Sequence, residues 1–207
     1  LAYFFAQEAY EHTHVPVGML VSSLGGSAIE SWISQEHLKE FPQLLVDQAA
    51  FDSLKLARQD RGAGRWQLPE CDDSDWATMT VPGYWRENGA DIRGTVWCRK
   101  TFDVPASMAG RHARLYMGTM VDSDSVFVNG TFVGFTSYTY PPRKYDIPAG
   151  VLREGKNVIA VRLTANGGNG GFVKDKRYAI VGDEAEIDLT GTWRYKTGID
   201  QSEVQRL

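Results

Sequence analysis

The chain has 207 residues, of which 43% are hydrophobic and 23% are charged, and its formal net charge is −4. This balance excludes a general nucleic-acid binder, which needs a basic face, and no apolar run approaches the roughly 18 residues of a membrane span. The two cysteines, Cys71 and Cys98, are too few for a structural zinc site by themselves, and the sequence leaves their pairing open. Neither a metal nor a cofactor is predicted.

The first predicted element is an amphipathic helix over Leu1–His14. Phe4, Phe5, Ala9 and Tyr10 recur there at helical spacing. The stretch lacks the basic start and the small-residue cleavage site of a signal peptide. The apolar faces of the whole helical segment, residues 1–62, would be exposed, so we expect this segment either to dock on the rest of the chain or to self-associate.

A strand, a glycine turn and a helix start are predicted next. An apolar run predicts a buried strand over Val15–Ser22, and Gly25 and Gly26 turn the chain toward a helix that starts over Ala28–Ile33. This order is half of a βαβ unit, in which ligands bind backbone N–H groups at the helix start. The two glycines are therefore candidate oxyanion donors, although from the pattern alone a tight turn without any ligand is the favoured explanation. The helical pattern continues over Gln35–Asp60.

From about residue 63 the pattern becomes that of an all-β module. Short apolar runs are separated by turn residues at roughly ten-residue spacing, which is typical of a β-sandwich or jelly roll. The clearest hairpin has Asn129 and Gly130 between two alternating runs, which predicts a type I′ turn because both positions need positive φ. Further strands are predicted over Val96–Phe102, Ala113–Met117 and Asn157–Leu163.

Aromatic and turn motifs are spread along this β module. They are Trp76, Val81-Pro82-Gly83-Tyr84-Trp85, Val96-Trp97-Cys98-Arg99-Lys100-Thr101-Phe102, Asp122, Asp124, Val128-Asn129-Gly130, Leu152 and Gly155-Lys156-Asn157. Together they resemble the sugar-binding jelly roll of β-galactosidase-type glycoside hydrolases.

A second resemblance covers most of the chain. It is carried by Gly25-Gly26, Ile29-Glu30, Trp32, the run Asp146–Leu152 and the run Leu189–Lys196. These residues resemble the sialate O-acetylesterase family, an SGNH-type α/β hydrolase that commonly carries such a jelly roll as an insertion. The nucleophile motif and the Asp-x-x-His motif of that family do not occur in this chain, and Leu24 and Cys98 replace its usual Trp and Tyr.

This second resemblance implies an α+β composite. Its parts would be a partial SGNH α/β (flavodoxin-like) segment over residues 1–62, an inserted galactose-binding-like jelly roll over residues 63–180, and a return strand toward the hydrolase core over residues 181–207. The parent protein would remove acetyl groups from sugars by serine ester hydrolysis, with an acetylated sugar as its partner, in the periplasm or outside the cell. This chain would be inactive alone and would contribute only Gly25 and Gly26, as oxyanion donors.

A non-catalytic carbohydrate-binding or structural β-sandwich module is the other interpretation. Asp122 and Asp124 would hydrogen-bond sugar hydroxyl groups, and Tyr140 and Arg143 lie in a predicted loop where an anionic sugar would meet positive charge. Turn chemistry and a buried aromatic core explain the same residues without a sugar. These four residues are the predicted sugar contacts.

Overall fold

The structure, a computed structural model, describes residues 2–20, 29–42, 59–165, 167 and 169–201. The chain divides into two units, Leu1–Asp47 and Gln48–Leu207. Within the described ranges, no helix combines the length and the apolar character needed to cross a membrane.

The first unit contains short helices. Helix α1 covers Ala2–Thr13, a single 3-10 turn covers Ile29–Trp32, and helix α2 covers Gln35–Leu38. Helix α1 buries none of its residues, and its Tyr3 and Phe4 side chains are 73% and 70% exposed. The predicted first helix therefore forms, and its aromatic side chains contact solvent.

The predicted strand over Val15–Ser22 is wrong for the part that the structure describes. Residues 15–20 form no strand, and Val15 and Leu20 are exposed rather than buried. A strand needs a neighbouring strand to satisfy its backbone N–H and C=O groups. The described residues of this unit include no strand with which residues 15–20 could pair. The SGNH segment is therefore not supported.

Other predictions for the first unit fall partly on residues outside the described ranges. The predicted helix start over Ala28–Ile33 is the 3-10 turn, and the helical pattern predicted over Gln35–Asp60 is α2, which ends at Leu38. Residues 21–28, which include Gly25 and Gly26, and residues 43–58 lie outside the described part of the chain.

The second unit is built from antiparallel strands. In chain order they are β1 (Ala77–Val81), β2 (Gly83–Tyr84), β3 (Gly94–Val104), β4 (Ala113–Met117), β5 (Met120–Val121), β6 (Ser123–Val128), β7 (Thr131–Thr136), β8 (Lys144–Ile147), β9 (Gly155–Ala165), β10 (Gly171–Phe172), β11 (Tyr178–Val181), β12 (Glu186–Asp188) and β13 (Gly191–Asp200). The large sheet has the order β1-β13-β3-β9-β6-β7, the small sheet has the order β12-β11-β4-β8, and a three-stranded sheet has the order β2-β10-β5.

Alternating side chains on the two larger sheets build one hydrophobic core. Val96 and Val161 of the large sheet share this core with Leu115 and Ile180 of the small sheet, and all four are fully buried. Strands β3 and β9 pair without interruption from Gly94 to Val104. The fold is mostly a β-sandwich with few helices, which is the part of the predicted fold class that the structure supports.

The hairpin between β6 and β7 turns at Asn129 and Gly130. Their φ angles are 49° and 80°, so the predicted positive φ at both positions is confirmed. The Asn129 side chain donates to the backbone oxygen of Val151 at 2.8 Å and to Oδ1 of Asn157. These two hydrogen bonds fix the turn to strand β9 and to the loop that precedes it.

Residues 59–75 form a strap across the outer face of the large sheet. Trp66 of the strap lies edge-on to Trp76 and Trp97, with ring centroids 5.0 and 6.4 Å away. Asp60 accepts hydrogen bonds from the Trp97 indole and the Arg162 guanidinium. Strand β13, which we expected to return toward a hydrolase core, pairs with β1 and β3 inside the large sheet.

Candidate functional site

A cleft of about 230 Å³ opens beside strands β4 and β8 of the small sheet. One wall is the loop 138–142 and the other is the loop 173–177. Among the described residues, the side chains that line it include two aromatic rings and no carboxylate, together with four cations: Arg143, Lys144, Lys176 and Arg177. We call it the cationic cleft.

The buried Arg143 guanidinium holds the first wall in place. Its side chain has no exposed surface. Its donors reach five different oxygens, which are Oδ1 of Asp124 and the backbone oxygens of Asp122, Tyr138, Thr139 and Pro141. A guanidinium has five N–H groups in a fixed planar arrangement, so this one is fully used by the protein.

The Asp124 carboxylate accepts two hydrogen bonds at the base of this wall, one on each oxygen. Arg143 Nε lies 2.6 Å from one carboxylate oxygen and the Tyr145 hydroxyl lies 2.6 Å from the other. Burial raises the pKa of Asp124, and the hydrogen bonds from Tyr145 and Arg143 oppose that rise. Burial and the neighbouring carboxylate also raise the pKa of Tyr145, so this hydroxyl keeps its proton and donates it to Asp124.

The floor of the cleft is backbone at Gly118 and Thr119. Gly118 has a φ of +55°, and a Cβ there would lie 2.6 Å from the Tyr178 ring, so the close approach requires glycine. The Tyr178 hydroxyl lies 3.2 Å from the Thr119 oxygen and 2.8 Å from the Val173 oxygen. One buried hydroxyl therefore joins the floor to the start of the second wall.

The three cations of the cleft other than Arg143 differ in their partners. Arg177 lies over the Tyr116 ring at 4.7 Å and binds both carboxylate oxygens of Glu186, which raises the pKa of Arg177. Lys144 and Lys176 are exposed. Within the described ranges, neither of their ammonium groups has a hydrogen-bond or ion-pair partner.

A second cleft, on the large sheet, has its charges already matched. It has a volume of about 400 Å³ and includes Asp73, Lys100, Arg99 and Arg194. Asp73 binds Arg99 at 2.9 Å and lies 3.6 Å from Arg194, while Lys100 donates to two backbone oxygens. Among the described residues, no three His, Cys, Asp or Glu side chains are grouped as metal ligands would be.

The four predicted sugar contacts have different environments. Tyr140 is 83% exposed at the rim of the cationic cleft, while Asp122 accepts a hydrogen bond from the Thr139 hydroxyl. Asp124 and Arg143 bind each other inside the fold, so their side chains act on the cleft through the loop that they hold. Direct sugar contact by any of the four stays a prediction, and so does an oxyanion role for residues 25 and 26.

Sequence reasoning missed several residues of the site, among them Lys176, Arg177 and Tyr178. Lys176 and Arg177 belong to a basic run after a glycine-rich stretch, and this run is the only sequence signal for them. Tyr178 reads as an ordinary apolar strand residue. Its hydroxyl partners lie on two other segments, so the pattern of its own strand does not reveal them.

Comparisons with known proteins point to one family. Residues 48–199, more than half of the chain, match the family described as glycosyl hydrolases family 2, sugar binding domain. The β-galactosidase BoGH2A of Bacteroides ovatus is 32% identical over 104 residues, which are 44% of this chain and 12% of that protein. This chain therefore spans a small part of that relative's length.

Two solved structures are also similar. β-Glucuronidase 2 of Bacteroides uniformis, covalently bound to cyclophellitol-6-carboxylate aziridine, is 19% identical with a TM-score of 0.45, covering 62% of this chain and 15% of that one. A glycosyl hydrolase family 2 member from Bacteroides cellulosilyticus is 23% identical with a TM-score of 0.45, covering 68% of this chain and 19% of that one.

These comparisons correct the second resemblance of the sequence analysis. The matched family and the curated relative are glycoside hydrolases, and they do not support the sialate O-acetylesterase family. The activity predicted from that family, removal of acetyl groups by serine ester hydrolysis, is therefore wrong. The residues quoted for the β-galactosidase-type jelly roll, 76–157, all lie inside the matched range.

Proposed function

Since this chain belongs to the family of sugar binding domains of glycosyl hydrolases family 2, we propose that it is a non-catalytic module that binds a carbohydrate in the cationic cleft. The longer protein would be a glycoside hydrolase, as the curated relative is a β-galactosidase. The module would hold a sugar unit near the site where the longer protein cleaves its substrate.

The observation that carries the proposal is an exposed aromatic ring on a rigid loop. Tyr140 is 83% exposed and packs edge-on against Tyr138, with centroids 6.4 Å apart. An aromatic ring with a polar tip suits the apolar face and the hydroxyl groups of a pyranose. Arg143 fixes the loop beforehand, so less conformational entropy is lost on binding.

The size of the cleft favours a single sugar ring. Its volume is about 230 Å³, below the ~300–1,000 Å³ that is usual for sites that enclose drug-sized ligands. The cleft would therefore hold one sugar unit and leave the rest of an oligosaccharide in solvent.

Titration calorimetry of the 207-residue chain with galactose, glucose, xylose and their uronic acids tests the proposal. We expect saturable binding to at least one sugar, weakened roughly fivefold by Tyr140→Ala, since aromatic contacts contribute about 0.5–1.5 kcal/mol. The matched control is Phe135→Ala, because Phe135 is an exposed aromatic residue that does not line the cleft. No binding to any sugar of the panel, or equal loss in both variants, would contradict the proposal.

We also propose that the protein self-associates and that it acts outside the cytoplasm. Exposed Tyr3, Phe4 and Phe5 of α1 form an apolar surface that would drive self-association, which sedimentation of the wild type and a Phe4→Ser, Phe5→Ser variant tests. A periplasmic or extracellular location would suit a module for external carbohydrates, and fractionation of the source cells tests it.

A further inference from the structure

We propose that the cationic cleft selects a sugar that carries a carboxylate, a hexuronic acid unit, through the ammonium groups of Lys144 and Lys176. This inference rests on the proposed function, because it names the class of sugar that the same site takes. It depends on an imbalance of charge that is local to the cleft.

The protein as a whole is acidic, whereas the cleft is not. The formal net charge of the chain is −4, and yet the cleft lining, within the part of the chain that the structure describes, includes four cations and no acid. One of these, Arg143, is neutralised by Asp124 in the interior. Another, Arg177, is neutralised by Glu186.

Two acids are close in the sequence to the lysines of the cleft, Asp146 and Asp175, and neither is among the described residues that line it. Asp146 is also matched by other groups. Asp146 follows Lys144 on strand β8, with its side chain on the same face of the sheet. Asp146 lies 3.0 Å from Nε2 of His112 and 3.2 Å from Arg114. Its charge is therefore engaged away from Lys144. Lys144 and Lys176 are left as two ammonium groups that face one opening.

The geometry of the walls holds these two lysines near each other. Lys144 directly follows Arg143, whose backbone N–H donates to the Gly118 oxygen at 2.8 Å. On the other side, a Cβ at Gly118 would lie 2.8 Å from the Cβ of Lys176. Lys144 and Lys176 therefore leave the backbone on the two sides of Gly118, and their flexible side chains reach into the same cleft.

The chemistry of the opening fits a carboxylate on a small ring. A lysine ammonium group is a compact positive charge with three N–H donors. Two such groups can together donate hydrogen bonds to both oxygens of one carboxylate. A hexuronic acid differs from its neutral hexose only where a carboxylate replaces a hydroxymethyl group, so it occupies nearly the same volume. A sulfate ester would add a whole SO₃ group to a cleft of about 230 Å³.

Calorimetric titration with two matched pairs tests this inference: galacturonic acid against galactose, and glucuronic acid against glucose. We expect the uronic acid of at least one pair to bind more tightly than its neutral partner. Lys144→Gln and Lys176→Gln should each weaken uronate binding roughly two- to fivefold, because exposed ion pairs contribute modestly, and the double variant should weaken it roughly tenfold. Neutral sugars should bind all variants equally.

Lys156→Gln is the matched control, since Lys156 is exposed on β9 and does not line the cleft. The preference for the uronic acid should also shrink as sodium chloride is raised, because salt screens exposed charges. Equal affinity for the acid and neutral sugars, with no effect of the lysine variants, would overturn the inference and leave the proposed function standing. Tighter binding of galactose 6-sulfate, or full competition by sodium acetate, would overturn the assignment of a sugar carboxylate, and the absence of all sugar binding would overturn both proposals.

Discussion

Arg143 donates from Nε to Oδ1 of Asp124 at 2.6 Å, and neither side chain has any exposed surface. Asp124 belongs to β6 of the large sheet, and Arg143 immediately precedes β8 of the small sheet. The pair therefore joins the two layers of the sandwich at the point where the cleft wall leaves them. A buried ion pair of this kind tolerates the loss of one partner poorly, because the other charge is left without compensation.

Replacing Asp124 with Ala should lower the free energy of unfolding by about 3–5 kcal/mol, because the Arg143 guanidinium would remain buried without its carboxylate. Urea unfolding followed by tryptophan fluorescence measures the change. Asp103→Ala, at an exposed position of β3, should stay within about 0.5 kcal/mol of the wild type. Similar stabilities for the two variants would show that the buried pair contributes little.

Replacing Tyr145 with Phe should cost about 1–3 kcal/mol, because the hydroxyl that bridges Asp124 and Thr136 is lost while the ring remains. The melting temperature from calorimetry reports this loss. The same change at the exposed Tyr138 should leave the melting temperature unchanged. A Tyr145→Phe variant as stable as the wild type would contradict the role assigned to the hydroxyl.

Two glycines with positive φ should respond differently to alanine. Gly110 has a φ of +71° and open space around an added Cβ, whereas Gly118 has a φ of +55° and the Tyr178 ring within 2.6 Å of that Cβ. Gly110→Ala should cost about 1–2 kcal/mol from backbone strain alone. Gly118→Ala should cost about 1–3 kcal/mol more, because the added methyl group overpacks the core. Equal losses in chemical denaturation would rule out the close approach at the cleft floor.

The strap should behave as part of the sandwich rather than as a linker. In Trp66→Ala, Trp76 and Trp97 would lose an aromatic neighbour, and the melting temperature should fall. Limited trypsin digestion should then cut at Arg61 or Arg65 faster than in the wild type. Rapid cleavage of the wild type at these sites would contradict the packing of the strap.

The two cysteines should differ in reactivity. Burial raises the pKa of the Cys98 thiol far above its usual range. Cys71 is partly exposed; its limited burial also raises its pKa, but the charge of Arg99 opposes that rise. Because the thiolate is the reactive species, a raised pKa slows reaction at neutral pH. An aromatic disulfide reagent should modify Cys71 before unfolding and Cys98 only after it. Both cysteines are free thiols, so detection of fewer than two thiol equivalents per chain in denaturant would contradict the structure.

Local sequence patterns predicted the elements whose stability is local. A two-residue type I′ turn requires positive φ at both positions, and Asn129 and Gly130 are residue types that tolerate it. Ala113–Met117 alternates so regularly that its bounds were predicted as observed. The strand predicted from the apolar run after His14 does not form over residues 15–20. An apolar run does not indicate whether a neighbouring strand exists for it to pair with.

The cleft was less predictable because its parts are far apart in the sequence. The buried partner of Arg143 is Asp124, and the floor at Gly118 depends on Tyr178. Each of these pairs is formed by the packing of one sheet on another, which no local pattern encodes. Asp124 and Arg143 were therefore selected as sugar contacts by residue type, and the structure shows them bound to each other.

Arg143 holds the backbone of its loop by contacts that do not depend on the side chains of that loop. Within the loop it binds only the carbonyl oxygens of Tyr138, Thr139 and Pro141, and every residue has such an oxygen. Exchange of the side chains at positions 138 and 140 would therefore leave the frame intact. The sandwich has in this loop an interchangeable display surface, on which new recognition properties can be selected without a new scaffold.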